Sequence, residues 1–190
     1  IVAAFSSNIH RVQQVLDAAQ RCGRRVVLNG KSMLANARIA RTLGYLRIPD
    51  GLMADIKDLD GLSKDQVVLL TTGSQGEPMS ALTRMSMNNH KHLKIEKGDT
   101  VILSSKFIPG HEKAISTMMN HLYMRGADVI YEKVSEVHVS GHASQEELKI
   151  MINLVKPRFF IPVHGEYRHL VLHSRLAASV GIPEENILVA

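Results

Sequence analysis

Apolar residues in this 190-residue chain fall in short runs, separated by stretches where they recur every three or four positions. The short runs predict strands at residues 1–5, 25–29, 67–71, 100–104, 128–131, 136–139, 158–162 and 187–189. The periodic stretches predict helices near residues 9–21, 32–43, 80–89, 112–125, 145–155 and 167–180. In the first helix Ile9, Val12, Leu16 and Ala19 share one face, and Asn8 stands where an N-cap belongs. The fifth opens on Ser144 with Glu147 three residues later, the spacing of a capping box. Strand and helix alternate from end to end, which predicts an α/β fold with a mostly parallel sheet flanked by helices. In such folds the carboxyl ends of the strands are the natural place for a site. Residues 48–64 break the pattern and carry Asp50, Asp55, Asp58 and Asp60, so they read as a solvated acidic excursion.

Composition narrows the classes. Hydrophobic residues make up 45% and charged residues 22%, the usage of a folded chain and not of a disordered one. A single cysteine, Cys22, excludes an internal disulfide framework and a thiolate-rich zinc knuckle, and points to a reducing compartment. No apolar run approaches the roughly 20 residues that span a bilayer. The net charge of +5 favours polyanions, because neutralised phosphates release counterions. With no Trp, four Tyr and four Phe, stacking platforms for bases are scarce, so an RNA would be gripped by its phosphates. Ile1 already lies inside an apolar run, and the chain is expected to be a piece of a longer one.

Four segments share a design in which a strand ends in small polar residues and a helix begins. They are Phe5–Asn8, Thr71–Pro78, His138–Ser144 and Pro162–Glu166. Helix N-termini of this kind can cradle an anion. Gly30-Lys31-Ser32 ends like a Walker A motif, but Arg25 stands where its first glycine belongs, which disfavours a nucleoside triphosphate site. His90-Lys91-His92 has the spacing of paired ligands without a carboxylate to complete it, and Ser140 lacks the pattern of a nucleophile elbow. The sharpest local signal is His142 and His164, each beside a glycine at a strand-to-helix turn. Imidazole there suits metal binding or acid–base work; a structural histidine in a capped turn is the alternative for either one.

Four blocks carry a resemblance. They are residues 6–15, 70–82, 137–148 and 160–168, among them Ser6-Ser7-Asn8, Gly73-Ser74-Gln75-Gly76-Glu77-Pro78, Ser140-Gly141-His142-Ala143 and Pro162-Val163-His164-Gly165-Glu166. The chain resembles the ribonuclease J family, in the β-CASP group of the metallo-β-lactamase superfamily. The resemblance implies a β-CASP domain at 1–135 and, at 136–190, a C-terminal segment returning into a metallo-β-lactamase fold. It implies a zinc-dependent enzyme with two ions that hydrolyses RNA from a 5′ monophosphate end and also cuts internally. It further implies cytoplasmic location without membrane association, and a homo-oligomer, dimer or tetramer.

By the same resemblance His164 is a metal ligand and His142 a catalytic group at the phosphate. His138, Val139, Ser140, Gly141 and Ala143 line the phosphate site, and Ser6, Ser7 and Asn8 meet the 5′-terminal phosphate. The family's His-x-His-x-Asp-His ligand cluster is absent from this sequence, so the chain alone is expected to be inactive. Two alternatives stay open: an RNA-binding module without chemistry, and a β-CASP relative that processes DNA or pre-mRNA.

Overall fold

The computed structural model describes residues 1–137 and 141–189. The chain divides into two units, Ile1–Val139 and Ser140–Ala190.

The first unit is built on five parallel strands in the order β2-β3-β1-β4-β5. These are β1 (Val2–Ala3), β2 (Arg25–Asn29), β3 (Val67–Thr71), β4 (Thr100–Leu103) and β5 (Asp128–Ile130). Side chains alternate across the sheet, so consecutive residues feed opposite cores. Ala3, Val27, Leu69 and Val101 pack with α3 (Ala81–Ser86) and α4 (Glu112–Met124). Ala4, Val26 and Leu70 pack with α1 (Ile9–Arg21) and α2 (Lys31–Thr42). The expected face of α1 is the buried one, with Val12 and Leu16 fully enclosed.

The excursion at 48–64 does more than the sequence suggests. Val26 donates its N–H to the Leu52 carbonyl (2.8 Å) and accepts at its own carbonyl from Ala54 N–H (2.9 Å), so the segment adds a bridge outside β2. Leu52 lies in the α1–α2 core, whereas Ile56 and Leu59 of the following 3-10 helix (Ile56–Gly61) pack into the other core. The excursion therefore carries the chain around the sheet edge from one face to the other. Its aspartates mark that helix start: Asp55 and Asp58 form a reciprocal capping box.

Other expectations need trimming. Strand β1 ends at Ala3, because Phe5 already opens the turn in which its carbonyl accepts from Asn8 N–H (3.1 Å). Helix α3 starts after Ser80, whose hydroxyl accepts from Thr83 N–H, and stops before Asn88, which is left-handed at φ 59°. Glu136 and Val137 join no ladder, and the rest of the predicted strand 136–139 lies outside the described residues.

The second unit holds α5 (Gln145–Val155) and α6 (Tyr167–Ser179) around Ile152, Ala177 and Ile182. The strands predicted at 158–162 and 187–189 meet only as one parallel bridge, Phe160 with Ile187, since no further strand among the described residues extends the pair. This core is small, and Ile150, Met151, Leu154, Val155 and Val163 remain exposed. No helix among the described residues is long and apolar enough to cross a membrane.

Candidate functional site

Strand order sets where ligands can enter the first unit. The β1 loop leaves towards α1, while those of its neighbours β3 and β4 lead to the opposite face, towards α3 and α4. Loops that diverge at neighbouring strand ends open a crevice at the carboxyl edge of the sheet. Ser6, Ser7 and Asn8 stand at that edge. The Ser6 hydroxyl accepts from Asn36 Nδ2 (3.2 Å), and Asn8 Oδ1 accepts from Arg11 N–H (3.1 Å) as the N-cap of α1. Ser7 is exposed, and the first turn of α1 has no acidic residue to oppose an anion.

The block at 73–78 is a rigid lock. Gln75 is 1% exposed. Its Nε2 donates to Ser105 Oγ (2.9 Å) and to the Lys106 carbonyl (3.0 Å), and its Oε1 accepts from Ile108 N–H (2.8 Å). The amide thereby ties the β3 loop to the β4 loop and satisfies a buried polar group at every face. Gln75 lies in one of the blocks that carry the resemblance, but nothing in the sequence marked this role for it.

His90 belongs to this edge as a structural residue. Its Nδ1 accepts from His92 N–H (3.3 Å) and Leu93 N–H (3.2 Å), which requires that nitrogen unprotonated. Burial, then the nearby Arg84 and His92, hold its pKa below the ordinary value of 6.5. The unfolded chain therefore takes up a proton on this residue before the folded one does. Stability should be full above pH 6.5 and decline as pH falls from there towards the lower folded value. Thermal melts between pH 7.5 and 5.5 should show that decline, and His90→Asn, whose Oδ1 keeps the acceptor without titrating, should flatten it. An equal decline in the variant would assign it to other groups.

In the second unit the two singled-out histidines come together. The rings of His142 and His164 stack with centroids 5.5 Å apart and planes 16° apart. Gly141, His142 and Ala143 are exposed and lead into Ser144, the N-cap of α5. Ser144 N–H donates to Glu147 Oε2 (2.6 Å), and Glu147 N–H donates back to Ser144 Oγ (3.4 Å), the expected capping box. The Ser144 backbone N–H, and after it the Ser144 hydroxyl, hold the Glu147 carboxyl below the usual carboxylate range. The α5 terminus is thus filled by its own carboxylate, so donors to a phosphate would come from the loop before it, not from the helix end.

His164 is left-handed at φ 73°, rare for a side-chain-bearing residue. The next turn fixes it: Glu166 N–H donates to His169 Nδ1 (3.1 Å), and a Cβ on Gly165 would lie 3.0 Å from that nitrogen. Backbone strain at an exposed histidine fits a role outside packing. His138, Val139 and Ser140 lie outside the described residues.

A metal fits this geometry only in part. Two imidazoles are fewer than the three protein ligands a catalytic zinc normally takes. Among the described residues no group of three or more His, Cys, Asp or Glu could hold an ion. His164 can offer one ligand to a site completed by other residues.

Comparison with known proteins gives two family matches. Residues 1–122 match the model described as ribonuclease J, beta-CASP domain, and residues 126–188 match the Zn-dependent metallo-hydrolase RNA specificity domain. Ribonuclease J of Mycobacterium tuberculosis strain H37Rv is 50% identical over 190 residues, which is 100% of this chain and 34% of that protein. Ribonuclease J of Thermus thermophilus is 49% identical over 188 residues, 99% of this chain and 33% of its own length. That of Synechocystis sp. is 48% identical over 189 residues, 100% of this chain and 30% of its own length. The chain spans about a third of the length of these relatives.

Proposed function

The chain belongs to the ribonuclease J β-CASP family, and from that membership we propose that the intact protein is a zinc-dependent ribonuclease. It hydrolyses RNA phosphodiester bonds from a 5′ monophosphate end and also cuts internally. The chain supplies the β-CASP unit and part of the metallo-hydrolase domain, whose remainder would cover the apolar side chains left exposed on α5. The intact protein works in the cytoplasm as a homo-oligomer with two zinc ions.

The observation that carries the reading is the meeting of His142 and His164, ring centroids 5.5 Å apart, from the separate turns that precede α5 and α6. His164 is one metal ligand. His142, with the backbone N–H groups of Gly141 and Ala143, donates to phosphate oxygens as charge builds on them. What the described residues contribute is thus electrostatic and positional. His138, Val139 and Ser140 are assigned to the same phosphate, whereas Ser6, Ser7 and Asn8 of the first unit are assigned to the 5′-terminal phosphate, at an N-terminal turn that carries no acid.

A pocket of neutral donors can tell a phosphorylated end from a hydroxyl end, because each donor left unpaired costs about 1–3 kcal/mol. Ser7→Ala and Ser140→Ala in the intact protein should each lower the preference for 5′-monophosphorylated over 5′-hydroxylated RNA about 5-fold or more. Cleavage at an internal site should fall less. The measurement is the rate ratio on RNAs differing only at that end, and an unchanged ratio in both variants would take both serines out of 5′-end recognition. A second reading, an RNA-binding module without chemistry, applies to this chain by itself, whose sequence does not contain the His-x-His-x-Asp-His cluster.

A further inference from the structure

The outward face of α2 carries two adjacent rows of side chains. On a helix, residues three, four or seven apart share a face. Ala35, Ile39 and Leu43 therefore form one row, and Lys31, Arg38 and Arg41 fall on the next; all six are exposed. The opposite face, with Met33, Ala37 and Ala40, is the buried one. Ile39 and Leu43 are 57% and 64% exposed, and Tyr45 just beyond the helix is 75% exposed. A single exposed apolar residue is ordinary; a row of them rimmed by one sign of charge marks an interaction face.

Residues 31–47 hold Lys31, Arg38, Arg41 and Arg47 and no Asp or Glu. None of these cations is in an ion pair among the described residues. Asp17 of α1 accepts instead from Gln13 Nε2 (2.7 Å), the side chain that also bonds the Arg47 backbone. Lys31 opens α2, whose first turn has no acid, so its charge adds to the positive end of the helix dipole. The face thus lacks both negative charge and apolar cover. We propose that α2 is a docking face for another protein, and that the segment it takes is an acidic amphipathic helix. Apolar side chains of that helix lie on Ile39 and Leu43, with Ala35 allowing close approach, and its Asp and Glu face Lys31, Arg38 and Arg41. A second copy offering the same face would set arginine against arginine. RNA phosphates would pair with the cations and leave the Ile39–Leu43 row uncovered. The inference goes beyond the ribonuclease reading and does not depend on it, since neither histidine of the pair takes part.

The test uses the intact protein and fluorescent peptides of about 20 residues, long enough to be helical. Two of them carry a row of Leu beside a row of Glu, in the two orders that suit parallel and antiparallel docking. Controls replace every Glu by Lys, or every Leu by Ser. Anisotropy should show saturable binding of an acidic peptide and of neither control, weakening as salt rises. Ile39→Ser should lower that affinity about 10-fold or more, the scale of one buried aliphatic side chain. Arg38→Glu with Arg41→Glu should abolish binding of the acidic peptide and admit the Lys peptide in its place. Both variants should melt, and bind 5′-monophosphorylated RNA, as the unchanged protein does, because these side chains are exposed.

Failure of both acidic peptides to bind would overturn the proposal. So would a charge-reversed variant that loses RNA, which would give the face to nucleic acid. A smaller oligomer of that variant in sedimentation would give it to a second copy, and equally overturn the proposal. Tyr45 shielded from nitration in the intact protein without peptide would mean that its own chain covers the face, with the same consequence.

Discussion

Gly76→Ala should destabilise the first unit by about 2–5 kcal/mol, a large share of the roughly 5–15 kcal/mol typical of a folded domain. Two costs add. Gly76 has φ +71°, where a side chain costs about 1–2 kcal/mol. Its new Cβ would also lie 2.6 Å from the Ala114 carbonyl carbon and 2.8 Å from Ile115 nitrogen, both backbone atoms of α4 that no rotamer change can relieve. Overpacking of that kind costs about 1–3 kcal/mol more. Gly23→Ala is the control: φ is +64° there, but nothing lies within 4 Å, so only the backbone cost applies. The Gly76 variant should melt roughly 10 °C below the parent, and well below the Gly23 variant. Equal melting temperatures would mean that the lock between the β3 loop and α4 is not tight.

The largest effect on activity belongs to the histidine pair. In the intact protein His142→Ala should lower kcat about 100- to 1,000-fold, the range for loss of one preorganised donor to a developing negative charge. Metal content should be largely retained. His164→Ala should lose activity and metal together, since a catalytic zinc holds only about three protein ligands and has none to spare. Zinc per chain, plotted against rate for both variants, distinguishes a donor from a ligand. If His142→Ala also emptied the site, His142 would be a ligand.

Much of this was legible in the sequence, for physical reasons that differ from place to place. The α1 face was readable because its period of about 3.6 is set by helix geometry alone, and Val12, Leu16 and Ala19 are buried as expected. The Ser144–Glu147 box was readable because both partners lie within one turn. The excursion at 48–64 was not, since its meaning depends on which face of the sheet Leu52 and Leu59 each meet. The contacts of Gln75 were not legible, because its partners lie 30–33 residues away, beyond any local pattern. The pairing of His142 with His164 was visible only as two similar turns; their approach is a property of the folded second unit. The strands at 158–162 and 187–189 had the right residue types and lacked only neighbours to pair with.

The activity proposed for the intact protein is metal-dependent cleavage of RNA. One time course tests it most directly: purified intact protein with RNA bearing a 5′ monophosphate and a 3′ label, before and after chelation, and again after zinc is restored. Nucleotides should be released from the 5′ end, that activity should be lost on chelation, and it should return with zinc. RNA that is bound but left whole under all three conditions would contradict it and leave a binding module in its place.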